Sequence, residues 1–536
     1  MMARLRWMLV ASYILALLVL AFPRVRDQLD VRNKGFALYY GTDESHYAVR
    51  LQEGLLHPFA DTSNGIFSKP SAPQGLQPAG LERVAGFFFG WTGWTGTQVM
   101  ILLSVLFAAV MVPLLQRLLV RTGLSDGAAF AGSALYFILF LGPLMRFVHQ
   151  SWSLPCSVAA LLLLWRFWER PTWLRAGIAG VFLGVLPHIY YWSWTFVWPV
   201  AALLFFASWW DKKDLSKNRR HGFLCMGIVA ASLAAPYFLH MIMLAGNPLA
   251  REVAERSSVV YARGFESYTR SILVFLLAVG GYLSLRNTPM ADRLRPLLFL
   301  SVVPFIVLHQ QFIHGQVISF STHYYPYICL VALLLAGALI AAKKWTIVTV
   351  PTLLLAILLL AAAGVDYTSR SAALHVESPR FRFQNLVGLS PWLASSPRQT
   401  ILTDRETALI LAANTKHDVV FTEHIRHVLV STREYAERYC MSEMFAPDSH
   451  PEWVPNTLHE LSRLGRSRAE ELRAERLNIT TDACSWVQAH KKEALQRYSV
   501  DVLVWNEKEH PDWHIDSALF TLEQQGNGWS LWKVKG

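Results

Sequence analysis

Charged side chains are scarce in this chain. Asp, Glu, Lys and Arg together make up 16% of the 536 residues, whereas 53% of the residues are apolar. Soluble globular proteins carry about 25% charged residues, so this balance excludes an ordinary soluble chain and indicates an integral membrane protein. The formal charge of +11 does not indicate a nucleic-acid partner, because the basic residues lie mainly in short clusters between apolar segments, as the positive-inside rule predicts.

Common sequence motifs of nucleotide-binding proteins and hydrolases are missing as well. The chain contains no Walker-type phosphate loop, no Gly-x-Gly-x-x-Gly followed by a helix, and no Gly-x-Ser-x-Gly. The cytoplasmic loops predicted below are also short, so a cytoplasmic enzyme acting on nucleotide sugars is disfavoured. No clear internal sequence repeat is present, whereas transporters are often built from repeated halves.

Long apolar runs are abundant instead. A helix that crosses a bilayer needs about 20 mainly apolar residues. Eleven segments qualify, some of them marginally: 7–22, 97–116, 127–145, 154–168, 174–188, 191–210, 222–244, 271–285, 296–313, 325–342 and 345–364. The sequence therefore predicts a polytopic α-helical membrane protein with about 11 transmembrane helices.

The connections between these segments alternate in character. Basic residues cluster on one side, which the positive-inside rule assigns to the cytoplasm: Arg4, Arg6, Arg117, Arg121, Arg166, Arg170, Arg175, the 212–220 and 286–295 connections, Lys343 and Lys344. The other side receives the long 23–96 loop, the 245–270 loop, the 309–324 connection and everything after 365. An odd number of spans predicts a cytoplasmic N-terminus and an extracytoplasmic C-terminus. The first span has no clear cleavage site, so we expect it to be retained.

Hydropathy falls after Asp366. We therefore predict a transmembrane domain over 1–364, with its large first external loop at 23–96, and a soluble extracytoplasmic α/β domain over 365–536. The expected location is the cytoplasmic (inner) membrane of a bacterium, with the lipid bilayer as a partner.

Local patterns predict the elements of the α/β domain. Thr400–Thr403 is strand-like, Asp404 can cap a helix through Ala413, and 419–422 returns as a strand, which indicates a βαβ unit. Ser431 and Glu434 have capping-box spacing at the start of another helix. Further segments are predicted as helices near 456–476 and 484–497, and as closing strands at 500–505, 519–522 and 529–534.

Five cysteines occur in the chain. Cys156, Cys225 and Cys329 fall in predicted spans, where they serve most simply as small apolar packing residues. Cys440 and Cys484 both fall in the exported domain, and in an oxidising compartment they form either a disulfide or two separate buried thiols. No pair has the spacing of zinc ligands.

Two adjacent carboxylates are the main candidate functional residues of the first external loop. Asp43 and Glu44 are followed by His46, and 44–56 can form a helix with its apolar residues on one side, lying flat at the membrane interface. The pair then stands at the helix N-terminus. There it is either a cap favoured by the helix dipole, a general base for an acceptor hydroxyl, or a ligand for a divalent cation such as Mg or Mn.

This layout resembles the GT-C superfamily of membrane glycosyltransferases. The shared features are the carboxylate pair at Asp43 and Glu44 in a first external loop, an interfacial helix after it, about a dozen spans and an exported α/β domain. The oligosaccharyltransferase signature Trp-Trp-Asp-Tyr-Gly is not found. The resemblance implies a polyprenyl-phosphate-sugar donor, transfer on the extracytoplasmic face and inversion at the anomeric carbon, in the biosynthesis of a cell-envelope polysaccharide or glycoconjugate. Asp43, ahead of Glu44, is then the catalytic base, or Asp43 holds a metal.

An inverting transfer also needs cations or hydrogen-bond donors around the departing lipid phosphate. Candidates for binding donor phosphate or substrate stand at external span ends and in external loops: His46, Arg83, Arg146, His149, His188, Arg256, Arg263, His314, His323 and Tyr324. Arginine suits phosphate where two hydrogen bonds are made at once. The competing interpretation of each is an interfacial or solvated side chain.

Two other functions stay open. One is a transporter or flippase for a lipid or polyol, and the other is a non-catalytic GT-C-like assembly protein. Neither the donor sugar nor the acceptor, which is a glycan, a lipid or a protein, follows from the residues.

Overall fold

The computed structural model describes most of the chain, in the ranges 2–39, 42–60, 63, 65–66, 79–140, 149–210, 216–256, 259–261, 268–286, 291–310, 316–318, 321–342, 348–375, 379–446 and 466–536. Its described residues up to 375 are almost entirely helical. The helices are α1 (Met2–Leu29), α2 (Thr42–Leu56), α3 (Gly80–Phe89), α4 (Gly96–Arg121), α5 (Asp126–Leu139), α6 (His149–Glu169), α7 (Trp173–Ile189), α8 (Tyr191–Trp210), α9 (Ser216–Ala245), α10 (Pro248–Arg256), α11 (Tyr268–Leu285), α12 (Ala291–Leu308), α13 (Tyr325–Ala342) and α14 (Thr349–His375).

Several of these helices suit a bilayer. Among the described residues, five helical segments are long and apolar enough to cross a membrane: Leu9–Leu29, Gly96–Arg121, Tyr191–Trp209, Lys217–Ala245 and Tyr325–Ala342. Others are apolar but shorter, as at Ile272–Leu285. Each of the eleven predicted spans overlaps one of the helices above. The chain is therefore a mostly helical membrane protein, and the number of eleven crossings stays a prediction.

The centre of the bundle is α13. Its residues from Pro326 to Leu339 are all buried, and it packs against α14, α12 and α5. A helix that is apolar on every side belongs inside a bundle rather than on its surface, so α13 is the core around which the other helices are arranged. Two short antiparallel strands, β1 (Val259–Tyr261) and β2 (Gln316–Ile318), join the 245–270 loop to the 309–324 connection, a pairing that we did not predict.

The last part of the chain forms an α/β region. Its elements are α15 (Ser390–Ser395), β3 (Thr400–Leu402), α16 (Arg405–Asn414), β4 (Asp418–Val419), a 3-10 helix (Glu423–His427), α17 (Thr432–Ser442), α18 (Arg466–Ala489), α19 (Lys491–Arg497), β5 (Val502–Trp505), β6 (Phe520–Gly526) and β7 (Trp529–Val534). The strand order in the sheet is β4-β3-β5-β7-β6. Strand β3 is parallel to β4 and β5, and β7 is antiparallel to β5 and β6.

Local signals place these elements close to where we predicted them. The Asp404 carboxylate accepts hydrogen bonds from the backbone N–H groups of Glu406 and Thr407 and so caps α16. The Ser431 hydroxyl accepts from the N–H of Glu434 at the start of α17. Part of the helix predicted at 456–476 lies outside the described residues. A disulfide joins Cys440 of α17 to Cys484 of α18.

The α/β region rests on the first loop. The Gln384 side chain donates to the carbonyl of Phe36 and accepts from the N–H of Lys34, and the Arg380 guanidinium pairs with Asp27 at the end of α1. The backbone N–H of Val419 in β4 donates to the carbonyl of Gly65. These contacts fix the position of the sheet against the residues that follow the first span.

Candidate functional site

The predicted carboxylate pair lies in the first turn of α2. The backbone of Asp43 belongs to this helix, whereas its side chain lies outside the described residues. The Glu44 side chain is buried, with 8% exposure. One member of the pair is therefore enclosed by protein rather than displayed to bulk solvent.

The surroundings of α2 differ from our expectation. We predicted a helix that has its apolar residues on one side and lies flat at the membrane interface. In the structure α2 packs against α3 and α4 on one side and against α16 of the α/β region on the other. Its polar residues Arg50, Gln52 and Glu53 are buried along with the apolar ones. The α/β region covers the polar face of α2, which the sequence did not predict, and the position of α2 at the membrane interface stays a prediction.

Glycines permit this close packing. A Cβ atom on Gly86 of α3 would overlap the carbonyl oxygen of Gly54, and one on Gly96 would overlap the carbonyl oxygen of Ala48. Only a residue without a side chain lets two backbones approach so closely. These contacts hold α2 directly against α3 and against the start of α4.

Three buried polar side chains of α2 have partners in neighbouring segments. Arg50 pairs with Glu82 of α3 at 2.7 Å. Glu53 accepts hydrogen bonds from the backbone and hydroxyl of Ser63 and from the N–H of Gly65. The side-chain amide oxygen of Gln52 accepts a hydrogen bond from the backbone N–H of Gly96 at 2.6 Å. Buried polar groups need such partners, and here they tie α2 to three neighbouring segments.

Three histidines meet where α2 contacts the α/β region. The His46 ring stacks on His424 with 4.0 Å between ring centroids, and His427 lies 6.0 Å from His46 and 6.2 Å from His424. The Arg426 Nε donates to the Nε2 of His427 at 3.1 Å. We refer to His46, His424, Arg426 and His427 as the histidine junction. His46 stands two residues after Glu44, so the junction adjoins the carboxylate pair in the sequence of α2.

The electrostatics of the junction keep the His46 and His427 imidazoles neutral. Burial, reinforced by His424 and Arg50, holds the pKa of His46 well below its usual range, and burial together with Arg426 does the same to the pKa of His427. Because the Nε2 of His427 accepts a hydrogen bond, the proton of that neutral ring is on Nδ1. The junction therefore combines neutral rings with nearby guanidinium groups.

Arg256 supports the junction from α10. Its guanidinium donates to the carbonyl oxygens of Val428 and Val430 at 3.0 and 2.9 Å and, more weakly, to that of Arg426 at 3.4 Å. Burial lowers the pKa of Arg256 to about 10. We predicted a phosphate clamp at Arg256, but these contacts favour instead a residue that holds the 3-10 helix and the segment after it in place.

A second cluster of hydrogen-bonded polar side chains lies at one end of the helical bundle. The Tyr190 hydroxyl and the Nδ1 of His323 are 2.8 Å apart, and the His323 ring lies 4.3 Å from Trp192. The Tyr324 hydroxyl is hydrogen bonded to Thr195 at 2.8 Å. His323 and Tyr324 thus meet the aromatic residues that open α8, and burial lowers the pKa of His323 to about 4.

Other predicted site residues have separate positions. The Nε2 of His188 lies 2.9 Å from the carbonyl oxygen of Leu233, and its ring fills the space beside Gly80. The Nε of Arg83 donates to the carbonyl of Ala60. Arg146, Arg263 and His314 lie outside the described residues, as does the side chain of His149. Their predicted roles stay predictions.

We also predicted that Asp43 could be a ligand for a divalent metal ion. Within the described ranges, no group of three or more His, Cys, Asp or Glu side chains is arranged to hold a metal ion. The stacked pair His46 and His424 presents ring faces to each other, which does not converge their nitrogen atoms on one point. Asp43 as a metal ligand stays a prediction because its side chain is not described.

Sequence reasoning did not assign His424 and His427 to the site. These two histidines follow no recognised catalytic spacing in the sequence. Nothing in the sequence links them to His46, because only the packing of α16 and the 3-10 helix onto α2 brings them together.

Comparisons with known proteins give little further guidance. No protein-family model matches the chain, and no curated protein matches it. Among solved structures, the chain is similar to that of ArnT from Cupriavidus metallidurans bound to undecaprenyl phosphate, with 11% sequence identity, 98% of this chain and 97% of that chain covered, and a TM-score of 0.37.

Proposed function

We propose that the protein is a membrane glycosyltransferase that transfers a sugar from a polyprenyl-phosphate-linked donor to an acceptor on the extracytoplasmic face. The observation that carries the proposal is the buried position of Glu44, the described member of the carboxylate pair, on a helix held between the bundle and the α/β region and adjacent to the histidine junction. A carboxylate in such a place can accept the proton of an attacking hydroxyl. Nearby guanidinium groups supply positive charge for a departing phosphate.

The proposed chemistry is a direct displacement. The acceptor oxygen attacks the anomeric carbon while its proton passes to a carboxylate of the pair, and the bond from that carbon to the donor phosphate oxygen breaks. The lipid phosphate leaves with the bonding electrons, and the configuration at the anomeric carbon is inverted. We propose Asp43 as the base, with Glu44 as the alternative.

Sugar transfer tests this function directly. The purified full-length protein would be given a defined polyprenyl-phosphate sugar and candidate acceptors, and release of the free lipid phosphate would be measured. We expect Asp43→Asn to lower the rate by about 10²- to 10⁴-fold, the range for loss of a positioned general base. Glu44→Gln tests the alternative assignment.

Asp30→Asn is the matched control. Asp30 is also a carboxylate that follows the first span, but it pairs with Arg32 at the surface, so its replacement should leave the rate unchanged. Equal rates for wild type, Asp43→Asn and Glu44→Gln would remove both carboxylates as the base. No turnover of any lipid-linked sugar by the wild type would contradict the function itself.

A further inference from the structure

The first external loop exposes a group of large apolar side chains. Val84, Phe87 and Phe88 are spaced so that they share one face of α3, and the two phenylalanines are 68% and 60% exposed. Exposed aromatic residues also occur in the turn after α3 and at the end of the loop that follows α2. We refer to the group as the apolar patch, which consists of Phe59, Val84, Phe87, Phe88, Trp91 and Trp94. An exposed apolar surface of this kind marks a place where something else binds.

The opposite face of α3 is polar or small, and it is buried. Glu82 on this face pairs with Arg50 of α2 at 2.7 Å, and Gly86 packs against the backbone of Gly54. A helix at a water-facing surface normally buries its apolar face and exposes its polar one. Helix α3 has the reverse arrangement, so its exposed face suits an apolar medium rather than water.

Helix α3 connects the ends of two bundle helices. At its start, a Cβ on Gly80 would lie 3.1 Å from the side chain of His188, near the end of α7. After its end, the rings of Phe89 and Trp94 stack with 6.0 Å between centroids, and α4 begins at Gly96. Helix α4 is long and apolar enough to cross a membrane, and α7 is a shorter apolar helix. Because α3 meets the same end of both helices, it lies across that end of the bundle, at the level of the bilayer surface.

This position favours lipid as the medium that covers the apolar patch. Arg121 of α4 and Arg175 of α7 lie at the opposite ends of these two helices, so the positive-inside rule predicts that the patch is on the extracytoplasmic side. Phenylalanine and tryptophan are common where a membrane protein meets the boundary between lipid and water. The patch leads directly into α4, so the bilayer around that helix also reaches the patch.

We propose that α3 and the turn after it insert the apolar patch into the extracytoplasmic leaflet of the bilayer and so anchor the first loop to the membrane. A short helix binds in this way when its apolar face enters the lipid and its other face stays outside. Here the other face of α3 is occupied by α2, through the Arg50 and Glu82 ion pair and the crossing of Gly54 and Gly86. The anchor therefore carries α2 on its back.

Insertion of α3 has a consequence for the candidate site. The close backbone contact between Gly54 and Gly86 leaves no space for α2 to slide over α3, so the depth of α3 in the leaflet sets the height of α2 above it. This consequence rests on the proposed function: the anchor would hold the Asp43 and Glu44 pair at a fixed height relative to a donor that is itself in the bilayer. Insertion does not depend on sugar transfer and can be measured without it.

Electron paramagnetic resonance on the full-length protein in vesicles of phosphatidylcholine and phosphatidylglycerol tests the insertion. A nitroxide is attached to p-acetylphenylalanine in place of Phe88, and its accessibility is measured to oxygen, which concentrates in lipid, and to a polar nickel chelate, which stays in water. We expect the ratio of oxygen to nickel accessibility to be several times higher than at Leu522. That residue is also apolar and exposed, but it lies on β6, at the edge of the sheet opposite to β4, which contacts the first loop. A label at Ile178, an exposed residue of α7, gives the value for lipid.

A variant with a less apolar patch tests the consequence for activity. Phe87→Ser, Phe88→Ser and Trp91→Ser are combined, and because these side chains are exposed, the folded protein should be retained, which its elution as a single species in detergent checks. Sugar transfer in vesicles should fall by up to about 10²-fold, the cost of a misplaced catalytic group. Leu522→Ser should transfer sugar like the wild type.

The outcomes are distinct. Nickel accessibility at position 88 equal to that at position 522 would place the patch in water and overturn the insertion. A label at 88 that is shielded from both oxygen and nickel would show that protein covers the patch, either a second copy or a partner, and would also overturn it. Insertion in a protein that transfers no sugar would refute the proposed function and leave the anchor intact. Insertion together with unchanged transfer by the triple variant would overturn the link between the anchor and the carboxylate pair.

Discussion

The Arg50 and Glu82 ion pair illustrates how single residues hold the candidate site together. Their side chains are 3% and 2% exposed, and 2.7 Å separates the nearest charged atoms. A buried ion pair adds little net stability over apolar residues of similar size, but removal of one partner leaves a charge in an apolar environment. We therefore expect the loss of one partner to cost much more stability than the intact pair contributes.

This dependence predicts an asymmetric response to mutation. We expect Glu82→Leu to destabilise the protein by about 3–5 kcal/mol, and the double variant Arg50→Met with Glu82→Leu to be more stable than Glu82→Leu alone. Thermal unfolding in detergent measures both. Arg32→Gln, which breaks the exposed pair with Asp30, should leave the Tm unchanged. A double variant as unstable as the single one would show that the pair acts through packing rather than charge.

At the scale of elements, α2 is the structural centre of the candidate site. It lies between α3, α4 and α16, and its contacts with α3 and α4 use glycines and buried polar side chains. The crossing of α2 and α3 is the tightest, since Gly54 and Gly86 bring the two backbones together. Displacement of α3 would move α2 and with it the carboxylate pair.

Substitution of one glycine should therefore affect both stability and activity. A Cβ on Gly86 meets the backbone of Gly54, which cannot rotate away, so Gly86→Ala should cost about 1–3 kcal/mol through overpacking and should lower sugar transfer. Gly177→Ala is the matched control, because the same methyl group on helix α7 meets nothing within 4 Å. Its effect should be neutral or slightly stabilising. Equal Tm values for the two variants would contradict the close crossing.

At this scale, the sequence predicted contacts between residues close together in the chain and not contacts between distant elements. The caps at Asp404 and Ser431 were predicted because each involves residues two or three positions apart. The contact of α2 with the α/β region was not predicted, because its neighbour α16 lies far away in sequence. The apolar pattern of 44–56 is compatible with a helix in the membrane interface and also with one whose polar side is covered by protein.

At the scale of the whole molecule, the histidine junction links the α/β region to the helical part. His46 belongs to the first loop, and His424 and His427 belong to the α/β region. The lowered pKa values of His46 and His427 make this contact sensitive to pH. A histidine whose pKa is lower in the folded than in the unfolded state binds fewer protons when folded, so stability is lost as pH falls below the unfolded value of about 6.5.

We therefore expect the Tm to fall between about pH 7 and about pH 5, and the fall to be smaller in His46→Gln. His510 acts in the opposite direction: burial lowers its pKa, but the ion pair with Asp404 outweighs burial and raises it. That pair stabilises the folded state below the unfolded pKa. His490→Gln, at an exposed histidine of the α/β region, should preserve the wild-type pH dependence. An identical slope in His46→Gln would show that the junction does not titrate on unfolding.

The sequence by itself determined the membrane class, the positions of the helices and the order of elements in the α/β region. These features follow from composition, from apolar runs and from local capping, all of which act over short stretches of chain. Only the tertiary structure decided that Glu44 is buried, that α2 is covered by the α/β region, and that His46 stacks on His424. Those facts depend on contacts between residues distant in sequence, whose geometry is set by the packing of whole elements.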